Sequence, residues 1–297
     1  MKIVNGDRNL TTNKILITGD TGFIGSHVAK RFASSPEWSV LAGHDLGGRS
    51  FDLATPGETA HFIDRHQPNV VVHTAAISSI AACDENRTLA RRVNTDAVSE
   101  IADACLLIGS RLIHLSTDQV FDGNKAPYTE SSATSPLHYY GETKVSTEEA
   151  LGQHDVESVL LRPTLVYGND PAHGRSASES IRNAAQKGQT LGLFSDEFRA
   201  PVYVGDLVDC IQRFAAMSVT GLFHVGGPSR LSRWDFGHVV CLALGLNQKA
   251  IRPSSLEECG LIGKRPRDLT LDTSKLAEVM NWSPKTPQEA LASATLG

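Results

Sequence analysis

The chain has 297 residues, 40% hydrophobic and 21% charged, with a formal net charge of −5; this suits a globular protein with a sizeable core and argues against a general binder of nucleic acid or membrane surfaces. No apolar run approaches the roughly 18–20 residues needed to span a bilayer, and the polar stretch from Met1 to Asn13 has no signal-peptide core. The five cysteines are scattered and form no Cys-x-x-Cys pair, so neither a disulfide framework nor a zinc site is indicated and a reducing, cytoplasmic setting is expected.

In chain order, Lys14–Thr18 predicts a buried strand, followed by glycines and a helix through Phe32. Ser39–Ala42 predicts a second strand, Glu58–His66 a helix and Val70–His73 a third strand. Thr88–Ile108 reads as one long helix, and Arg111–Leu115 and Val159–Leu161 as further strands. Strands alternating with helices imply βαβ units, and apolar runs without alternation fit strands buried on both faces. The expected fold is α/β, a Rossmann-type doubly wound parallel sheet with a smaller, discontinuous C-terminal substrate-binding domain. After Pro163 the pattern loosens, with helices expected over Ser178–Lys187, Asp206–Met217, Trp234–Leu244 and Thr273–Asn281 and a turn at Gly226-Gly227-Pro228. The division falls at 1–165, binding a dinucleotide, and 166–297, binding substrate, with about 200–217 returning to the first part.

Gly19-Asp20-Thr21-Gly22-Phe23-Ile24-Gly25 follows a predicted strand and opens a predicted helix. Glycines there let the chain turn sharply and let a pyrophosphate approach the helix N-terminus. The spacing G-x-x-G-x-x-G is weak alone and gains weight from its place at the head of a βαβ series. Asp45, twenty residues after Gly25, is placed to bind the ribose hydroxyls of NAD, whereas Arg49 would hold the extra phosphate of NADP; both cofactors stay open. Asp52 and Leu53 are expected near the adenine.

Ser116-Thr117-Asp118-Gln119 ends a buried strand, on the sheet edge where open α/β folds bind ligands. A hydroxyl of Ser116 or Thr117 would hold a substrate carbonyl; the bland alternative is that both satisfy backbone groups in a turn. Tyr140 and Lys144 are four residues apart, hence on one face of a helix. A free tyrosine, with a pKa of about 10, exchanges protons poorly near neutrality, and a fixed positive charge beside it would lower that value.

In this order, these motifs resemble the extended short-chain dehydrogenase/reductases, and within them the dTDP-4-dehydrorhamnose reductase family. The likeness runs through Phe51-Asp52-Leu53, Thr74-Ala75-Ala76, Val93-Asn94, Leu115-Ser116-Thr117-Asp118-Gln119-Val120-Phe121-Asp122-Gly123, Tyr140-Gly141-Glu142-Thr143-Lys144, Leu161-Arg162-Pro163 and Arg265-Pro266. It implies an NAD(P)H-dependent reductase of a nucleotide-linked 4-keto-6-deoxysugar, with NADP(H) or NAD(H) as cofactor. Thr117 would bind the carbonyl, Tyr140 would donate the proton, and Lys144 would lower the tyrosine pKa and hold the nicotinamide ribose. Thr74, Ala75, Ala76 and Asn94 would line the cofactor, with Pro163 and Thr164 near the nicotinamide. Ser116, Asp118, Gln119, Arg199 and Arg265 would face the substrate, the arginines, with Lys264 and Arg267, as diphosphate ligands.

Gln119 departs from the family, where an aromatic residue is usual; related dehydratases place a glutamate base there. Glutamine has no carboxylate, so this residue argues against dehydratase chemistry. Asn169, His173 and Arg175 fall in an expected substrate loop, and the eleven histidines show no metal-ligand spacing. The expected partner is a nucleotide sugar, not nucleic acid or membrane, with a homodimer as a candidate assembly. The alternatives are a sugar-nucleotide epimerase and a cofactor-binding regulatory subunit like the methionine adenosyltransferase β subunit.

Overall fold

The computed structural model describes residues 12–41, 51–170, 174 and 176–294. Asp45, Arg49, His173 and Arg175 therefore lie outside the described residues. Six parallel strands form the central sheet: β1 (Asn13–Thr18), β2 (Trp38–Leu41), β3 (Val70–His73), β4 (Arg111–Leu115), β5 (Ser158–Pro163) and β6 (Gly221–Val225), in the order β6-β5-β4-β3-β1-β2. The chain leaves β1 for β2 on one side and returns to β3 on the other, so a crevice opens at the C-terminal ends of β1 and β3, where such sheets bind ligands.

The interior strands are apolar without alternation because both faces are covered. Ile15, Ile17, Val72 and Ile113 pack with Val28 and Phe32 of α1 (Phe23–Ala33) and Phe214 of the helix over 204–215. Leu16, Val71 and Leu112 pack on the other face with Ile63 of α2 (Glu58–His66), Ile101 of α3 (Ala97–Ile108) and Leu151 of α4 (Tyr139–Gly152). The α/β expectation therefore holds, with the parallel sheet it required. No described helix is long and apolar enough to cross a membrane.

Two differences from the expectation bear on the site. The stretch predicted as one helix over Thr88–Ile108 is an α-helical turn at Arg87–Arg91, a π-helical turn at Arg92–Asp96, and then α3. Such wide turns insert a residue and redirect the side chains around it; here Asn94 is buried. The sixth strand, Gly221–Val225, is not predicted at all, and it lies beyond the segment expected to return to the sheet. It pairs with β5 over its whole length, Gly221 opposite Val159 and Val225 opposite Pro163.

A second group of elements gathers around a separate core of Tyr167, Ile181, Leu193, Phe236, Ile251 and Leu291, while Leu276 and Met280 of the helix Ser274–Met280 pack into the core of the sheet. Small two-stranded ladders pair Leu191–Phe194 with Ile251–Ser254 and Phe198–Arg199 with Leu231–Ser232. The helix Arg233–Ala243 starts at a capping box between Ser232 and Asp235, which satisfies two orphan donors of its first turn.

Candidate active site

A cleft of about 560 Å³ opens over the C-terminal ends of β1, β3, β4 and β5. It is lined by Gly19, Thr21, Gly22, Phe23, Ile24 and Gly25, by Thr74, Ala75 and Ala76, and by Ser116, Thr117, Tyr140, Lys144 and Pro163. An adjoining hollow of about 410 Å³ takes in Phe51, Asp52 and Leu53. Most residues expected to meet the cofactor or the carbonyl thus line one continuous depression. Ser78, Thr164, Val166 and Asp170 also line it; of these only Thr164 is singled out by the sequence.

The glycine turn is built for close backbone approach. Gly19 has φ +73°, and a Cβ there would lie 2.8 Å from the Ala75 backbone nitrogen. A Cβ on Gly25 would lie 2.0 Å from Gly19 O and 2.7 Å from Thr74 Oγ1. Both glycines therefore bring the start of α1 down onto the ends of β1 and β3, so that Gly22, Phe23, Ile24 and Gly25 at its N-terminus line the cleft. This cradle fits a dinucleotide pyrophosphate. Gly25→Ala is expected to push α1 off the turn, weakening NADPH binding at least roughly tenfold and destabilising the fold by about 1–3 kcal/mol. NADPH fluorescence titration and thermal unfolding would measure both, and unchanged affinity would contradict this role for the turn.

Tyr140 and Lys144 both face the cleft from the first two turns of α4. The Tyr140 phenol and the Thr117 side chain both line the cleft, close enough for the threonine to act on the phenol. Burial raises the phenol pKa above its ordinary value, and the nearby Thr117 side chain only partly opposes this. The expectation that Lys144 would lower it is corrected here. The lysine ammonium donates to Leu115 O at 2.8 Å, and the cost of taking a phenolate out of water dominates. The phenol consequently keeps its proton through the neutral range. Lys144 is itself buried, which lowers its pKa to about 8, while the neighbouring Glu148 works in the opposite direction.

Beneath this pair a buried polar network fixes the strand ends. Ser116 Oγ donates to Glu148 Oε1, so its hydroxyl is spent on α4. Arg162 Nε donates to the same carboxylate at 2.9 Å, and Arg162 Nη1 lies 3.2 Å from His224 Nε2. His224 Nδ1 then reaches the Tyr128 and Asp272 carbonyls, which requires the proton on Nδ1 and makes Nε2 the acceptor from arginine. The unexpected β6 thus supplies the last member of the network that holds Glu148 behind Lys144.

Thr117 is extended and caps the short 3-10 turn Asp118–Val120, its Oγ1 accepting from Gln119 N–H at 3.2 Å. Asp118 is buried, and desolvation raises its pKa to about 6 against the pull of Arg199. Arg199 is buried as well, with Nε 3.6 Å from Asp118 Oδ2, Nη2 3.4 Å from Glu197 Oε1, and Nη1 donating to Phe198 O at 2.6 Å. Its guanidinium is engaged on all three nitrogens, so it clamps the strand-end turn to the second group of elements rather than standing open to a diphosphate. Arg265 is half-exposed and holds Glu197 through Nε at 2.9 Å and Nη2 at 3.1 Å.

Asn94, expected at the cofactor, instead ties down the loop after β3. Its Oδ1 accepts from Ile77 N–H at 2.8 Å, and its Nδ2 donates to Ile77 O at 3.0 Å and reaches Thr143 Oγ1 at 3.2 Å. Asp52 accepts from Ala54 N–H at 2.9 Å, fixing its own turn beside the hollow. Sequence reasoning missed His138, which precedes the Tyr-Tyr pair and caps α4. A polar side chain one residue before a predicted helix was the available signal.

A parallel doubly wound sheet, a glycine turn and a Thr–Tyr–Lys cleft together define a dinucleotide-fold protein of the extended short-chain dehydrogenase/reductase type. Residues 13–295 match the model of the RmlD substrate binding domain, and the chain belongs to that family. It is 29% identical over 296 residues to the methionine adenosyltransferase 2 subunit beta of Rattus norvegicus, covering 96% of this chain and 88% of that one. It is 27% identical over 296 residues to the dTDP-4-dehydrorhamnose reductase of Aggregatibacter actinomycetemcomitans, covering 94% and 97%. The solved dTDP-4-dehydrorhamnose reductase of Bacillus anthracis, a complex with NADP, superposes with a TM-score of 0.85 at 21% identity, covering 96% of this chain and 99% of that one.

Proposed function

We propose that the protein is an NAD(P)H-dependent reductase of a nucleotide-linked 4-keto-6-deoxysugar, similar to the dTDP-4-dehydrorhamnose reductases. The observation that carries this reading is the convergence of Thr117, Tyr140 and Lys144 on the cleft that the glycine turn opens. The cofactor would lie along Gly19–Gly25 and Thr74–Ala76 and supply the hydride. Residues 1–165 would hold it, and residues 166–297 would hold the sugar nucleotide.

Tyr140 would protonate the ketone oxygen as charge develops, and Thr117 would turn its hydroxyl, which donates to Asp118 Oδ1 at 3.3 Å, to the same oxygen when substrate binds. Donors held at that oxygen stabilise the developing charge. The raised pKa of Tyr140 keeps the proton where it is needed, and Lys144 places its ammonium between the tyrosine helix and the Leu115 carbonyl. Gln119 offers no carboxylate to remove a proton beside the ketone, which favours plain reduction over dehydration.

A second reading has its own observation: likeness to a methionine adenosyltransferase β subunit across 96% of the chain. On that reading the cleft binds a dinucleotide and the protein regulates a partner enzyme. Oxidation of NADPH and NADH, followed spectrophotometrically against a panel of nucleotide-linked 4-keto-6-deoxysugars, separates the two. Reduction requires substrate-dependent, stoichiometric oxidation with at least one pair. Regulation predicts cofactor binding with no turnover on any of them.

A further inference from the structure

We propose that His138, acting through Gln119, is a positioning residue that sets Tyr140 against Thr117; this rests on the reductase reading above. The observation is a chain of hydrogen bonds whose direction is fixed at every link. Gly141 N–H donates to His138 Nδ1 at 3.1 Å. A neutral imidazole that accepts at Nδ1 must carry its proton on Nε2. His138 Nε2–H therefore donates to Gln119 Oε1, 3.1 Å away. This orients the carboxamide so that its Nε2 donates to Asp118 Oδ1 at 3.3 Å. Thr117 Oγ1 meets that same carboxylate oxygen at 3.3 Å. The chain thus runs from the first turn of the helix carrying Tyr140 to the hydroxyl beside it.

Three further features support the linkage. Burial lowers the His138 pKa, which keeps the ring in the neutral form the chain requires. The His138 and Tyr140 rings are nearly parallel, 17° apart with centroids at 6.0 Å. Gly141 seats the helix directly on the 3-10 turn, since a Cβ there would lie 2.5 Å from Gln119 O. Gln119 and His138 therefore form a matched pair: the glutamine supplies an acceptor for the one proton the capping histidine has to offer. A phenylalanine side chain at 119 would supply none.

His138→Asn tests the link because asparagine also caps helices well but is too short to reach Gln119. Gln119→Leu leaves the cap and removes the acceptor. Each single variant is expected to lower kcat roughly tenfold by misplacing donor and acceptor. KM for the keto-sugar in His138→Asn, and NADPH affinity in both variants, should stay within about twofold, and the kcat of the double variant should be no lower than that of either single one. Normal kcat in both single variants, or losses that multiply, would overturn the proposal. Tyrosine labelled with 13C gives a readout free of turnover. The Cζ resonance of Tyr140, assigned with Tyr140→Phe, should shift in both variants of the cofactor-free protein, and an unmoved resonance in both would overturn the link. If the unaltered protein reduces no keto-sugar, the reductase reading fails, while this resonance still decides whether His138 positions Tyr140. Should His138→Asn not fold, Gln119→Leu carries both readouts.

Discussion

Tyr140→Phe is expected to lower kcat by roughly 10²–10⁴-fold, the contribution typical of a positioned general acid, while NADPH affinity stays within about threefold. The substitution removes one hydroxyl and keeps the ring. The lost atom is the phenol oxygen near Thr117, and Thr117 keeps Asp118 as its partner at 3.3 Å, so the folded state loses little. The glycine turn and the Thr74–Ala76 backbone are untouched, which is why binding should persist. Stopped-flow single turnovers and fluorescence titration measure the two quantities separately. A variant within tenfold of normal turnover would remove Tyr140 from the role of proton donor.

Lys144→Met is expected to abolish most turnover and, unusually for a buried position, to make the cofactor-free protein more stable at pH 7. The lysine pKa is lowered from 10.5 to about 8 by burial. A base whose folded pKa lies below its unfolded value destabilises the fold wherever the unfolded chain is protonated. The penalty is full below about pH 8 and vanishes as pH rises toward 10.5. A shift of this size corresponds to roughly 3 kcal/mol, from which about 1 kcal/mol is offset by the lost bond to Leu115 O. Methionine fills similar volume without the charge, so Tm should rise by several degrees at pH 7 and the gain should close above about pH 10. The same shift predicts that kcat/KM of the unaltered enzyme declines as pH rises past about 8, when the ammonium is lost. A lower Tm at pH 7, or a flat rate through pH 9, would contradict this. Stability given up for a functional charge is a common pattern at active sites.

Much of this site is legible in the amino-acid sequence. The glycine turn, the apolar runs of β3 and β4, and the four-residue spacing of Tyr140 and Lys144 are local signals, and local spacing determines which side chains share a face. What escapes the sequence is tertiary. Gly221–Val225 is an edge strand opening on a glycine, in the stretch after Pro163 where the sequence pattern loosens, yet it brings His224 to Arg162. Arg199 resembles an open phosphate ligand because residue type is visible and partners are not; Asp118 and Glu197 close around it only in the fold. The spacing places Lys144 beside Tyr140 correctly but cannot say that its ammonium donates to Leu115 O. Nor can it say that burial raises the phenol pKa instead of the lysine lowering it.

Gln119 shows how a single position gains meaning from its neighbours. Alone it argues only against a carboxylate base. With His138 and Asp118 on either side of its amide, it becomes the middle of a directed chain between two elements of the site.

Reductase chemistry is tested most directly by isotope transfer. NADPH carrying deuterium at the transferable C4 position would be incubated with a nucleotide-linked 4-keto-6-deoxysugar and the protein, and the sugar product analysed by mass spectrometry and NMR. One deuterium bound to sugar C4 in the new alcohol, formed in step with NADPH oxidation and lost with Tyr140→Phe, is the predicted result. Recovery of unreduced sugar with all deuterium still on the cofactor, across the panel of keto-sugars, would contradict it.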